Sequence, residues 1–88
     1  MKMALNFAII KYFTTVDEAC ADEVMDALKD EYSDFKMFNR QAIYETLYTA
    51  EINGFIKETR YELEGDNLKV YYHAPPEGRE IILTYLPD

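Results

Sequence analysis

In the first half of the chain, apolar positions recur about every 3.6 residues, the spacing that turns one face of a helix toward a core. Residues Lys2 to Phe13 place Leu5, Ala8, Ile9, Tyr12 and Phe13 at that spacing, and Phe7 and Ile10 widen the apolar surface around the cylinder. A central, heavily buried first helix is expected. Thr14-Thr15-Val16 then weakens helical propensity, and Asp17 is a suitable cap for a second helix over about Asp17 to Tyr32. Its stripe is Ala21, Val24, Met25, Leu28 and Tyr32; Asp22, Glu23, Asp26, Lys29 and Asp30 form an acidic outer face. Ser33 to Phe38 reads as a short connection with apolar plugs. Asn39 caps a third helix with the stripe Ile43, Leu47, Ala50 and Ile52, and Asn53-Gly54 ends it because glycine enters the left-handed region without strain.

After Gly54 the period falls to about 2, the signature of strands. Phe55, Thr59, Tyr61 and Leu63 alternate with Ile56, Glu58, Arg60, Glu62 and Glu64; Leu68, Val70, Tyr72 and Ala74 alternate with Lys69, Tyr71 and His73. Glu64-Gly65-Asp66-Asn67 between them is hairpin-turn chemistry. A lone hairpin is marginal in water, so one of its faces is expected to pack on the helices. Pro75-Pro76 suits the first turn of a short terminal helix with Glu77, Glu80, Ile81, Ile82, Tyr85 and Leu86, stopped by Pro87. The order is helix, helix, helix, hairpin, helix: an α+β class with a helix-turn-helix at its centre. The expected core is Leu5, Ile9, Val24, Leu28, Ile43, Leu47, Phe55, Ile56, Val70 and Ile81.

With 88 residues the chain has room for one core, so residues 1–88 are taken as a single domain. At 49% hydrophobic it is too apolar for a disordered chain, even with a formal charge of -8. That charge repels polyanions at long range, but it is unevenly spread. Asp17 to Asp34 carries eight acids against Lys29 alone, whereas Lys36 to Arg60 is nearly neutral. One cysteine, Cys20, allows no internal disulfide, and neither a secretion signal nor a membrane-length apolar run is present; a cytoplasmic protein is expected. His73 is the single histidine, so no zinc cluster, catalytic base pair or phosphate loop can be assembled from the sequence. No enzyme, metal or cofactor is expected, and the acids of the second helix read as a solvated face.

Three helices followed by a hairpin are the layout of winged-helix domains, and particular residues carry a family resemblance. Tyr44 to Ile56, YETLYTAEINGFI, resembles the Y-x-x-L-x-x-L-x-x-x-G-L-I signature of PadR-like transcriptional regulators. Val70 to Glu80, VYYHAPPEGRE, resembles their Y-Y-x-L-T-x-E-G-R passage, where the second wing strand turns into the next helix. The resemblance implies a winged helix-turn-helix: three helices, a two-stranded β-hairpin wing and a short C-terminal helix. Tyr48 and Thr49 stand where the family often carries Lys or Arg, and Ala74-Pro75 replaces Leu-Thr. The family's long C-terminal dimerisation helices have no counterpart before Asp88, so a shortened member without them is implied.

The function implied is binding of double-stranded DNA, as a homodimer, by the third helix (about 39–53) in the major groove and the wing (about 55–74) beside it. Asn39, Arg40, Gln41 and Tyr44 would face the bases, where Arg pairs with guanine and Asn or Gln with adenine. Lys36, Lys57, Arg60 and Lys69 would hold the phosphates. The charge and the eight tyrosines favour another reading: a winged-helix module that binds a protein partner through its tyrosine-rich and acidic surfaces, without DNA. The tyrosines also suit a homodimer seam built from the first and last helices.

Overall fold

The computed structural model describes residues 3–86; the expected start of the first helix at Lys2 and the stop at Pro87 lie outside them. The element order is the one expected: α1 (Leu5–Tyr12), α2 (Ala21–Tyr32), α3 (Arg40–Ile52), β1 (Lys57–Glu64), β2 (Asn67–His73) and α4 (Pro76–Tyr85). The strands pair antiparallel, and Thr59 bulges between the pairs Glu58–Tyr72 and Arg60–Tyr71. A third short stretch joins the sheet, because Ala19 and Tyr72 exchange both backbone hydrogen bonds at 2.9 Å.

That bridge corrects the expected start of α2. Ala19 is bridged to β2, so α2 begins at Ala21, capped at Cys20, whose N–H donates to the Glu23 carboxylate at 3.0 Å. Asp17 caps nothing. The third helix keeps its expected bounds. Asn39 Oδ1 accepts from the Ala42 N–H at 2.9 Å, and at the other end Gly54 takes a φ of 82° while the Phe55 N–H returns to the Ala50 carbonyl.

The core lies where α1, α2 and α3 cross, closed below by the base of the hairpin and by α4. Ile9, Val24, Ile43, Leu47 and Ile56 are buried as expected, with Leu5, Leu28 and Phe55 packed partly buried against them. Phe13, Tyr32 and Ala74 are buried too, although the expected core did not include them. Tyr32 satisfies its hydroxyl by donating to the Met3 carbonyl at 2.5 Å. Ile81 was expected inside but is 41% exposed; Ile82, one turn on from Gly78, takes the buried position instead. The first helix is less enclosed than its pattern implied, since Ile9 is its one fully buried residue and Phe7 is 45% exposed.

The hairpin packs on the helices as expected at its base and along β2, where Tyr72 lies against the core, but not over its whole length. Its base is fixed by buried Ile56 and Ala74, but the outer half reaches past the helices, leaving Tyr61 and Leu63 both 68% exposed. The turn is Gly65-Asp66, with Gly65 at a φ of 60°, as a two-residue loop that matches strand twist requires.

The entry into α4 is the most tightly built point. A Cβ on Gly78 would stand 2.3 Å from the Phe55 carbonyl oxygen, so only glycine lets the helix approach that backbone. Its neighbour Arg79 donates to three backbone carbonyls: Ala74 at 2.9 Å, Thr14 at 3.1 Å and Val16 at 2.7 Å. One guanidinium thereby ties the loop after α1 to the strand-to-helix step.

Candidate nucleic-acid interface

A helix start leaves backbone N–H groups without intrahelical partners, and at α3 these are partly satisfied by Asn39, whose amide also donates to the Lys36 carbonyl at 3.3 Å. Asn39 is therefore occupied as a cap. The next residues are exposed on the outer surface of the helix: Arg40, Gln41 and Tyr44. Gln41 donates to Glu45 one turn on at 3.1 Å. Arg40 reaches across to α2, where its Nη1 lies 2.5 Å from Asp22 Oδ1, a buried oxygen, as a close ion pair rather than an aligned hydrogen bond. The neighbouring Tyr44 side chain, and then the Asp22 charge, hold the Arg40 guanidinium still more firmly in its ionised form than usual.

Tyr44 stands in the notch between α2, α3 and the wing, beside Leu68 and Val70. Leu68, Val70 and Tyr72 thus form the wing face turned to α3, and burial raises the Tyr72 hydroxyl above its usual pKa, with Glu51, Glu58 and Tyr44 of that side adding to it.

Arg60 and Lys69 occupy the other wing face. Side chains paired across the two strands share a side, and Arg60 is opposite Tyr71 as Glu62 is opposite Lys69. The Arg60 guanidinium lies 3.8 Å from the centre of the Tyr71 ring, bonds to Glu18 at 2.6 and 2.9 Å, and meets Glu62 on its other flank. Lys69 pairs with Glu64 at 3.2 Å. Both cations are held above their ordinary pKa by these carboxylates, and Glu18 is held below its own, chiefly by its bond to Arg60. Lys36 and Lys57 are exposed, and neither has a carboxylate partner among the described residues.

The structure thus gathers Lys36, Asn39, Arg40, Gln41 and Tyr44 at one end of α3. It does not bring Arg60 to them, whereas Lys69 borders the notch beside Tyr44 while paired with Glu64. Sequence reasoning missed the partners that set these cations, Asp22 and Glu18. Asp22 carried one local signal, as an acid in the first turn of a helix, but nothing local pointed from Glu18 to Arg60. Among the described residues no group of three or more histidine, cysteine or acidic side chains is placed to hold a metal ion, and no helix is long and apolar enough to cross a membrane.

A second surface lies on α1 and α4. Phe7 and Ile10 of α1, Phe55, and Ile81, Ile82, Tyr85 and Leu86 at α4 line an apolar groove of about 250 Å3.

Over 96% of its length the chain superimposes on Bacillus subtilis PadR, solved in complex with operator DNA, with a TM-score of 0.73 and 22% identity. It folds as a PadR-type winged helix. A transcriptional regulator from Clostridium thermocellum matches 92% of the chain at a TM-score of 0.70 and 18% identity. The winged helix described here spans 47% of the PadR chain and 77% of the Clostridium one. No protein-family model and no curated protein matches the sequence.

Proposed function

We propose that this winged helix is a DNA-binding transcriptional regulator of the PadR type, with the N-terminal half of α3 in the major groove and the hairpin alongside. The observation that carries the reading is the likeness to PadR over nearly the whole chain, because that protein was solved on its operator. The exposed, well-capped start of α3 supports the use of Arg40, Gln41 and Tyr44 as the base-facing residues. Asn39, spent on the cap, sets the angle of the helix and can present only what its amide has left. Lys36 and Lys57 serve the phosphates, and Arg60 and Lys69 do so only by leaving carboxylates they already hold. The regulator acts as a dimer, and the apolar groove between α1 and α4 is the seam in this reading.

Charge sets a particular demand on this function. With a net charge of -8, attraction to phosphates is weak, so affinity depends on base contacts more than in a basic regulator. Two unpaired lysines per protomer imply a shallow salt dependence, a slope of about 2 in log K against log salt for each protomer. The test is selection from a random duplex library at low and moderate salt. Enrichment of a two-fold symmetric site with that slope is expected. Retention of no duplex even at low salt would remove the DNA reading and leave the fold as a protein-binding module.

A further inference from the structure

Resting on the reading of α3 as a base-reading helix, we propose that Asp22 is a specificity-determining positioning residue: from the neighbouring helix it fixes the Arg40 guanidinium in the orientation that addresses a guanine. Arg40 is the first residue of α3, where the helix dipole presents its positive end and disfavours a cation. Asp22 lies in the first turn of α2, where the same effect favours a carboxylate. The pair joins these two ends across the helix-turn-helix.

Guanidinium has more N–H donors than this one carboxylate engages, and the Arg40 side chain is still 52% exposed. Its free edge has the fork geometry that pairs with the two acceptors of guanine. A free arginine must give up much rotamer freedom on docking; here the ion pair with Asp22 restricts that freedom before DNA arrives. Arg60 is the contrast. It is bracketed by Glu18, Glu62 and the Tyr71 ring, so its contacts are spent on the wing and on the segment before α2.

The roles of fixing and neutralising make opposite forecasts. A carboxylate that merely neutralised Arg40 would weaken all DNA contact, and removing it would raise affinity for every duplex alike. One that positions Arg40 acts on discrimination. The test uses the duplex most enriched by the wild-type chain, the same duplex with each G·C pair changed in turn to A·T, and a random-sequence duplex.

Asp22→Ala is expected to lower the preference for guanine at one position about tenfold, leave affinity for the random duplex unchanged or raised, and add nothing in an Arg40→Ala background. Asp22→Asn should show the same pattern more weakly, and thermal unfolding of each variant checks that the fold persists. An unchanged preference overturns the inference, as does an equal shift for all duplexes, while the regulator reading survives either result. If the wild-type chain enriches no duplex, the regulator reading falls and takes the inference with it.

Discussion

Two arginines separate the closed region of this molecule from the open one. At the entry to α4, Arg79 gives its guanidinium to three backbone carbonyls beside a glycine that touches the Phe55 backbone. On the face of α3, Arg40 gives part of its guanidinium to a carboxylate and leaves the rest in water. Backbone carbonyls cannot be supplied by another molecule without unfolding the joint. A half-exposed guanidinium edge can be shared with one. The Glu-Gly-Arg step is thus an architectural device, and whatever the domain recognises is met by groups whose partners are exchangeable or incomplete.

The sharpest way to break the closed region is Gly78→Ala. With a Cβ placed 2.3 Å from a carbonyl oxygen, the helix must retreat from the hairpin base, and a loss of about 3 kcal/mol in urea unfolding is expected. A stability within about 0.5 kcal/mol of wild type would show that the contact relaxes freely. Arg79→Leu tests the second half of the joint. It strands three carbonyls in a partly buried setting and should lower stability by about 2 kcal/mol, with faster amide exchange in the loop after α1.

The open region should respond in binding and hardly at all in stability. Arg40→Ala is expected to weaken binding to the selected duplex roughly tenfold to a hundredfold while leaving the unfolding midpoint nearly unchanged. An unaltered affinity would take Arg40 out of base reading. The smallest effect concerns Glu18, whose pKa is lowered first by its bond to Arg60 against an ordinary value of 4.5. A carboxylate depressed by folding stabilises the native state above its unfolded pKa and loses that contribution as pH falls through the folded value. Wild type and Glu18→Gln should therefore differ slightly and constantly from neutrality down to about pH 5, then converge in more acid solution, and salt should shrink the difference because the pair is exposed. A gap that widens toward acid would reverse the assigned sign.

The sequence made local devices legible and long-range ones not. Asn39 and Gly54 bound α3 through contacts within a few residues, and Gly65-Asp66 turned the hairpin where its chemistry placed it. Asp17 was misread as a cap because the bridge between Ala19 and Tyr72, far apart in sequence, claims the residues around it. Ile81 and Ile82 are neighbours in a short helix, and only the close approach at Gly78 decides which turns inward. At the candidate site the exposed residues of α3 were legible from their polar character after a cap. The ion pairs of the site's arginines were not, since Arg40 finds Asp22 on the neighbouring helix and Arg60 finds Glu18 at a separation of 42 residues.

The most direct test of the central claim, that the start of α3 and the adjoining wing form the DNA face, is amide chemical-shift mapping of the labelled chain titrated with its selected duplex at low salt. The account predicts shifts over residues 36–48 and at the wing residues facing Tyr44, with α4 and the apolar groove beside α1 unmoved at fixed oligomeric state. Shifts confined to α1 and α4, or none anywhere while the duplex is in excess, would contradict it.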